Sequence, residues 1–279
     1  MKKYINDTMF GIRFVMGAAV AAILATGCGG EELDVDSNRI DLSFEEFMEM
    51  VYQEPWQGGV YIFDGDLPLE NMERVTEYYE SFVSGPALAV NTVGGVDDKW
   101  SNTEKLNLTY CVSDNFGARK TELVNAMNAA TGEWEAAADI NFIYDSSQDS
   151  DCTASNNNVV FDVRLVTGQS YLARAFFPSS SRSARNILVD EDAFTSSYPL
   201  VGIMRHELGH ALGFRHEHTR IEAFLATGLF CIENLSYRNL TDYDQGSTMH
   251  YPQCGGTNST LALSDLDKQG AASLYGNPS

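Results

Sequence analysis

Four of the chain's five histidines fall within thirteen positions, in HELGHALGFRHEH at 206–218. On a helix, His206 and His210 are four residues apart and project from one face, so both imidazoles reach a single ion at about 2.0–2.1 Å. Gly213 stands where such a helix should end, and glycine takes the left-handed conformation that turns the chain sharply and brings His216 back toward the same ion. Three neutral imidazoles with one position left open are the donor set of a catalytic zinc, whereas a structural zinc is closed by a fourth protein ligand. Glu207, beside the first ligand, is placed to accept the proton of a zinc-activated water. H-E-x-x-H alone recurs by chance on solvated helices, and the added G-x-x-H supplies the specificity. One Zn2+ per chain is therefore the expected cofactor.

These residues need a helix beginning near Ser197 or Pro199 and a sheet to hold it. From Trp100 onward the pattern alternates strands and helices. LNLTYCV reads as a strand, and RKTELVNAMNAATGEWEAAA as a long helix with Val124, Met127, Ala130, Trp134 and Ala137 on one side. INFIYD, NVVFDVRLV, YLARAFFP and NILVD follow as strand candidates, with Phe161, Val163 and Leu165 at a period of two. The expected product is an α+β domain in which helices pack on a mixed twisted sheet. SYLARAFFP (170–178) is the candidate edge strand for an extended peptide.

At this point the sequence resembles a known family. HELGHALGFRHEH fits H-E-x-x-H-x-x-G-x-x-H, the metzincin signature of zinc endopeptidases, and Glu217 after the third histidine is the residue that marks the astacin branch. GSTMHYP (246–252) looks like the astacin Met-turn. The resemblance implies a metzincin-like zincin fold with two main helices, the active-site helix being followed by the Met-turn and a C-terminal helix. LALSDLDKQGAASLYG (261–276), with Ser264 as its cap, resembles that closing helix. It further implies that Met249 floors the zinc and that Tyr251 is a switchable fifth ligand and oxyanion support. His250 takes a Met-turn position without metal. Glu217 would contact the newly formed N-terminus, although a partnership with Arg215 or Arg220 is the alternative reading. Cys231 and Cys254, both C-terminal to the zinc helix, depart from the animal astacin pattern. A bacterial branch, such as the family named for its H-E-I-G-H motif, resembles the chain more.

The N-terminal third carries its own signals. Lys2, Lys3 and Arg13 flank the apolar run FVMGAAVAAILA (14–25), which is too short to span a bilayer and reads as a signal peptide over 1–27. LATGCGG resembles a bacterial lipobox, which implies lipidation of Cys28 and an outer-membrane anchor; ordinary secretion is the alternative. Residues 28–99 read as an acidic prosegment and linker, and 100–279 as the catalytic domain. Between 29 and 99 there are 17 acids and 3 bases, out of a formal charge of −21 for the whole chain. SFEEFMEMVYQ opens with a capping-box pattern, Ser43 to Glu46, and sets Phe44, Phe47, Met48 and Val51 on one helical face. GVYIFDGD reads as strand and turn. A second helix carries Met72, Val75, Tyr79 and Phe82, and SGPALAVNTVGGVDDK (84–99) reads as a linker. FDGD, Phe63 to Asp66, matches the F-x-G-D motif of astacin prosegments, which implies that Asp66 binds the zinc and silences the zymogen; by itself the tetrapeptide is only a turn.

Cys111, Cys152, Cys231 and Cys254 are an even set in an exported chain with no metal-type spacing. Three connectivities are possible, and sequential pairing, 111–152 and 231–254, is favoured. DEDAF (190–194) reads as turn acids rather than a calcium loop. The acidic balance and the lack of a basic cluster exclude nucleic acid as a partner, leaving a peptide or protein substrate and, through Cys28, a membrane. Oligomeric state is not legible. The competing function is a surface lipoprotein that uses zinc structurally as an adhesin or interaction module. Such a scaffold needs neither Glu207 nor Tyr251.

Overall fold

A computed structural model describes residues 43–49, 51–56, 58–63, 65–82, 90–220, 223, 231 and 237–278. The signal segment, Cys28, Asp64 and the side chains of Glu46 and Phe82 lie outside the described residues. In chain order the elements are α1 (Phe44–Met48), β1 (Tyr52–Gln53), β2 (Tyr61–Phe63), β3 (Leu67–Leu69), α2 (Met72–Phe82), β4 (Val90–Val93), β5 (Val96–Asp97), β6 (Leu108–Val112), α3 (Lys120–Glu135), β7 (Phe142–Tyr144), β8 (Phe161–Val166), β9 (Ala173–Arg174), β10 (Asn186–Asp190), α4 (Leu200–Ala211), β11 (Tyr237–Arg238) and α5 (Asp265–Tyr275). Among the described residues, no helix is long and apolar enough to cross a membrane.

The central sheet has the order β7-β6-β8-β10-β9. β6 runs parallel to β7 and β8, and β10 parallel to β8, while the edge strand β9 is antiparallel to β10. The mixed sheet expected from the alternation is therefore present, and the candidate edge strand is at the edge, although only Ala173 and Arg174 of it are paired. Alternation along β8 and β10 sends Phe161, Val163, Ile187 and Val189 to the face covered by the helices. Ile203, Met204 and Leu208 of α4 and Leu274 of α5 fill that core from the other side. On α3 the buried face is Leu123, Ala126, Met127, Ala130, Thr131 and Trp134. Val124, expected on that face, is only partly buried, so the stripe starts one position earlier than the spacing suggested.

Two buried side chains close the end of α4. Trp100 Nε1 donates to the Ala211 carbonyl and Tyr275 Oη to the Leu212 carbonyl, both at 2.8 Å. Carbonyls at a helix C-terminus have no intrahelical partner, and these two donors satisfy a pair of them inside the core.

Segment 43–82 forms a small body against this domain. β1, β2 and β3 make an antiparallel sheet. Phe47, Phe63, Leu67, Val75 and Tyr78 form a core that also takes in Phe177 of the larger domain. Phe44, Met48 and Val51 pack around it as the helical spacing predicts, as does Tyr79 on α2. Met72, at the first position of α2, is 43% exposed and does not join the stripe assigned to it.

The linker reading of 84–99 is corrected over 90–97, which is a hairpin. β4 pairs with β5 and with β11, Val90 bridges Phe214, and the Asn91 N–H donates to the Gly213 carbonyl at 2.8 Å. Gly94 and Gly95 both have positive φ and form its two-residue turn. The disulfides are Cys111–Cys152 and Cys231–Cys254, the sequential pairing.

Candidate active site

α4 brings His206, Glu207 and His210 into the interior, all with no exposed surface. The helix stops at Leu212, and Gly213 follows at φ 94°. A side chain at 213 would meet the Asp98 carbonyl oxygen as well as the left-handed strain. The turn sends the chain back so that His216 Nε2 lies 3.1 Å from His206 Nε2 and 3.2 Å from His210 Nε2.

The donor chemistry of this cluster fits a cation. His206 Nδ1 donates to the Thr248 carbonyl and His210 Nδ1 to the Phe214 carbonyl, each at 2.8 Å, which fixes both tautomers. Burial lowers the pKa of both rings below 6.5, so they are neutral and turn bare Nε2 lone pairs toward the common centre. Imidazole nitrogens converging on one point in this way are a donor set that a shared cation satisfies. Asp66 completes the group: its carboxylate is 3.1 Å from His216 Nε2, 3.5 Å from His206 Nε2 and 3.8 Å from His210 Nε2. The four ligand atoms lie within 4.8 Å of one another, all buried. Neutral imidazoles with a carboxylate suit zinc, which takes N and O donors tetrahedrally.

Glu207 is buried beside them, and neither carboxylate oxygen has a hydrogen-bond partner among the described residues. Burial, and then the charge of Asp66, push its pKa up to about 8.

The Met-turn lies beneath. Met249 packs on Gly209 of α4 so closely that a Cβ at 209 would overlap its sulfur. Asp267, in the first turn of α5, holds this turn by accepting from Ser247 Oγ at 2.5 Å and the Thr248 N–H at 2.8 Å. Its Oδ2 also closes the capping box with Ser264. The tie therefore runs from the start of α5 through the Thr248 carbonyl to His206. Tyr251 is buried with its ring 4.4 Å from that of His216 and 5.6 Å from that of His206. His250 turns away from the cluster, its Nε2 2.9 Å from Tyr243 Oη. Glu217 is a buried partner of Arg220, at 2.7 Å, and also accepts from the Asp244 N–H at 2.8 Å; burial raises its pKa to about 7.

His218 carries no role in the sequence reading, yet its ring packs against those of both His216 and Tyr251, at 4.8 and 4.6 Å. Its Nδ1 accepts from the Tyr251 N–H at 3.2 Å. Asp267 and the carbonyls of Thr248 and Phe214 also went unassigned. The Ser264 to Asp267 spacing was a readable capping signal; backbone carbonyls leave none.

The helix, the returning histidine and the Met-turn under a mixed sheet with an antiparallel edge define a metzincin-type zinc metalloendopeptidase. The matrixin family model matches residues 99–244, more than half of the chain, and the chain belongs to that family. The match ends before Met249 and Tyr251. No curated protein sequence matches the chain. Among solved structures, it is similar to high choriolytic enzyme 1, a hatching enzyme zinc-protease from Oryzias latipes, the medaka fish, at 17% identity and a TM-score of 0.43, over 68% of this chain and 100% of that one.

Proposed function

We propose that the chain is an exported zinc endopeptidase made as a zymogen, in which Asp66 occupies the metal's open position until residues 28–89 are removed. The observation that carries this reading is the Asp66 carboxylate within 3.1–3.8 Å of three histidine Nε2 atoms in a closed interior. His206, His210 and His216 would hold the zinc throughout, and Asp66 would join them in the unprocessed chain. When bound there, zinc supplies Lewis acidity toward the scissile carbonyl and acidifies water.

Residues of this chain do the rest. An extended substrate adds to the edge strand β9 through main-chain hydrogen bonds. Glu207 takes the proton of the attacking water and delivers it to the leaving amine. Tyr251 Oη donates to the developing oxyanion. Burial keeps Glu207 basic enough for that task, and the Met-turn tie holds His206 in the required tautomer.

Lipidation at Cys28 would anchor the precursor, so loss of the prosegment would also release the catalytic domain from an outer membrane. The adhesin alternative leaves both the orphaned Glu207 carboxylate and Asp66 without a task.

The test compares zinc-loaded full chains with and without Asp66→Ala for cleavage of a mixed peptide library. The variant is expected to cleave before any processing and the native chain only afterward, with a gap of about 10²-fold or more. Equal cleavage by both unprocessed chains would contradict the aspartate switch.

A further inference from the structure

Arg174 lies on the edge strand β9 with a side chain only 1% exposed. Its guanidinium grips Glu54 of the N-terminal segment with two prongs, Nε to Oε1 and Nη2 to Oε2, both at 2.8 Å. Tyr171 Oη donates to the same Oε1 at 2.6 Å. The third nitrogen, Nη1, is spent on the backbone carbonyls of Ala175 and Asn186, at 3.3 and 3.2 Å. Arg174 pairs across the sheet with Leu188, on the face opposite the helix-covered core. There Tyr52, Trp56, Val60 and Ile62 cover Tyr171, Ala184 and Leu188.

A buried guanidinium deprived of its carboxylate is strongly unfavourable. Removing residues 43–82 would do that to Arg174, and would bare an apolar patch around it on the strand along which substrate lies. The planar fork and the tyrosine hydroxyl remain aimed at the space that Glu54 leaves. A fork of this kind with an added hydroxyl donor is chemistry for a carboxylate, which a lysine or a neutral amide would not match.

We propose that Arg174 and Tyr171 form a docking subsite for an acidic side chain of the protein substrate, flanked by aromatic or branched aliphatic residues. Glu54 holds that place in the unprocessed chain. The proposal rests on the zymogen reading above. The N-terminal segment thus acts at two places, blocking the metal with Asp66 and filling with Glu54 the place of a side chain that strengthens substrate binding without being required for cleavage.

The test uses the zinc-loaded full chain after limited proteolysis. It is presented with peptides that share one cleavable sequence and carry Glu or Gln at successive positions on either side. At one position Glu is expected to lower KM by about tenfold or more with little change in kcat. Arg174→Met should bring the Glu-to-Gln ratio of kcat/KM to about one, and Tyr171→Phe should reduce it. Should Arg174→Met fail to fold, the exchange Glu54→Arg with Arg174→Glu keeps an ion pair in the unprocessed chain and should shift the preference to Lys. Binding supplies a second readout: a synthetic peptide of residues 51–63 should bind the processed Glu207→Gln protein about tenfold more tightly than its Glu54→Gln version. Normal activation with no Glu preference at any position, and equal binding of the two peptides, would overturn the docking subsite alone. An unprocessed native chain that already cleaves would remove the zymogen reading and the subsite with it.

Discussion

His250 illustrates how a single side chain ties the site to its surroundings. It lies in the Met-turn with no exposed surface, accepts from Tyr243 Oη and donates from Nδ1 to the Tyr251 carbonyl at 3.1 Å. Burial, and then the charge of His218, lower its pKa from 6.5 to about 4. Above pH 6.5 both the folded and the unfolded chain hold it neutral, and its contribution to stability is complete. As the pH falls toward 4 the unfolded chain takes up a proton that the folded chain refuses, so roughly 2–3 kcal/mol of stability is lost. Urea denaturation at pH 7 and pH 4.5 should show that loss in the native chain and a smaller one in His250→Gln; equal losses would refute the assignment. The residues that do chemistry were readable because their spacing is itself the signal, as with His206, His210 and His216. The residues that aim them were not. Thr248 and Phe214 act through carbonyls, and His218 acts by stacking, so nothing in their side-chain identity announces the task.

At the scale of elements, long periodic segments were legible and short paired ones were not. α3 stands where the 3.6-residue pattern put it and α4 where the His206–His210 spacing did, and the alternation of Phe161, Val163 and Leu165 marked β8. The hairpin of β4 and β5 was missed even though Gly94-Gly95 is a hairpin turn signal. Its strands are four and two residues long, and its partners Phe214 and Tyr237 lie more than a hundred positions away. This hairpin buttresses the Gly213 turn that returns His216, so it belongs to the working domain. Processing at a protease site introduced within 84–88 should leave a stable, zinc-binding domain. Processing after Lys99 should lower its Tm by about 5–10 °C, corresponding to about 2–3 kcal/mol, and weaken zinc retention. Identical melting of the two products would show that the hairpin is dispensable.

Over the whole molecule, the excess of acid is concentrated in the N-terminal segment, and acids and a tyrosine of residues 43–82 are placed against specific groups of the larger domain. Asp66 meets the histidines, Glu54 meets Arg174, Glu70 accepts from the Ser181 N–H at 3.0 Å, and Tyr78 Oη is 3.3 Å from Arg215 Nη2. Composition revealed the imbalance, while only the fold revealed which carboxylate meets which donor, because each pair is separated by more than a hundred positions in the chain. If Cys28 carries lipid, membrane fractionation before and after processing should move the active species from the pellet to the supernatant, and an active species retained in the pellet would contradict release.

The most direct measurement is of zinc content and peptide cleavage in the processed native chain and in processed Glu207→Gln. One zinc per chain in both, with cleavage reduced by about 10²–10⁴-fold or more in the variant, is the expected result. Undiminished cleavage by the variant, or no cleavage by a fully zinc-loaded native chain, would contradict a zinc endopeptidase with Glu207 as its base.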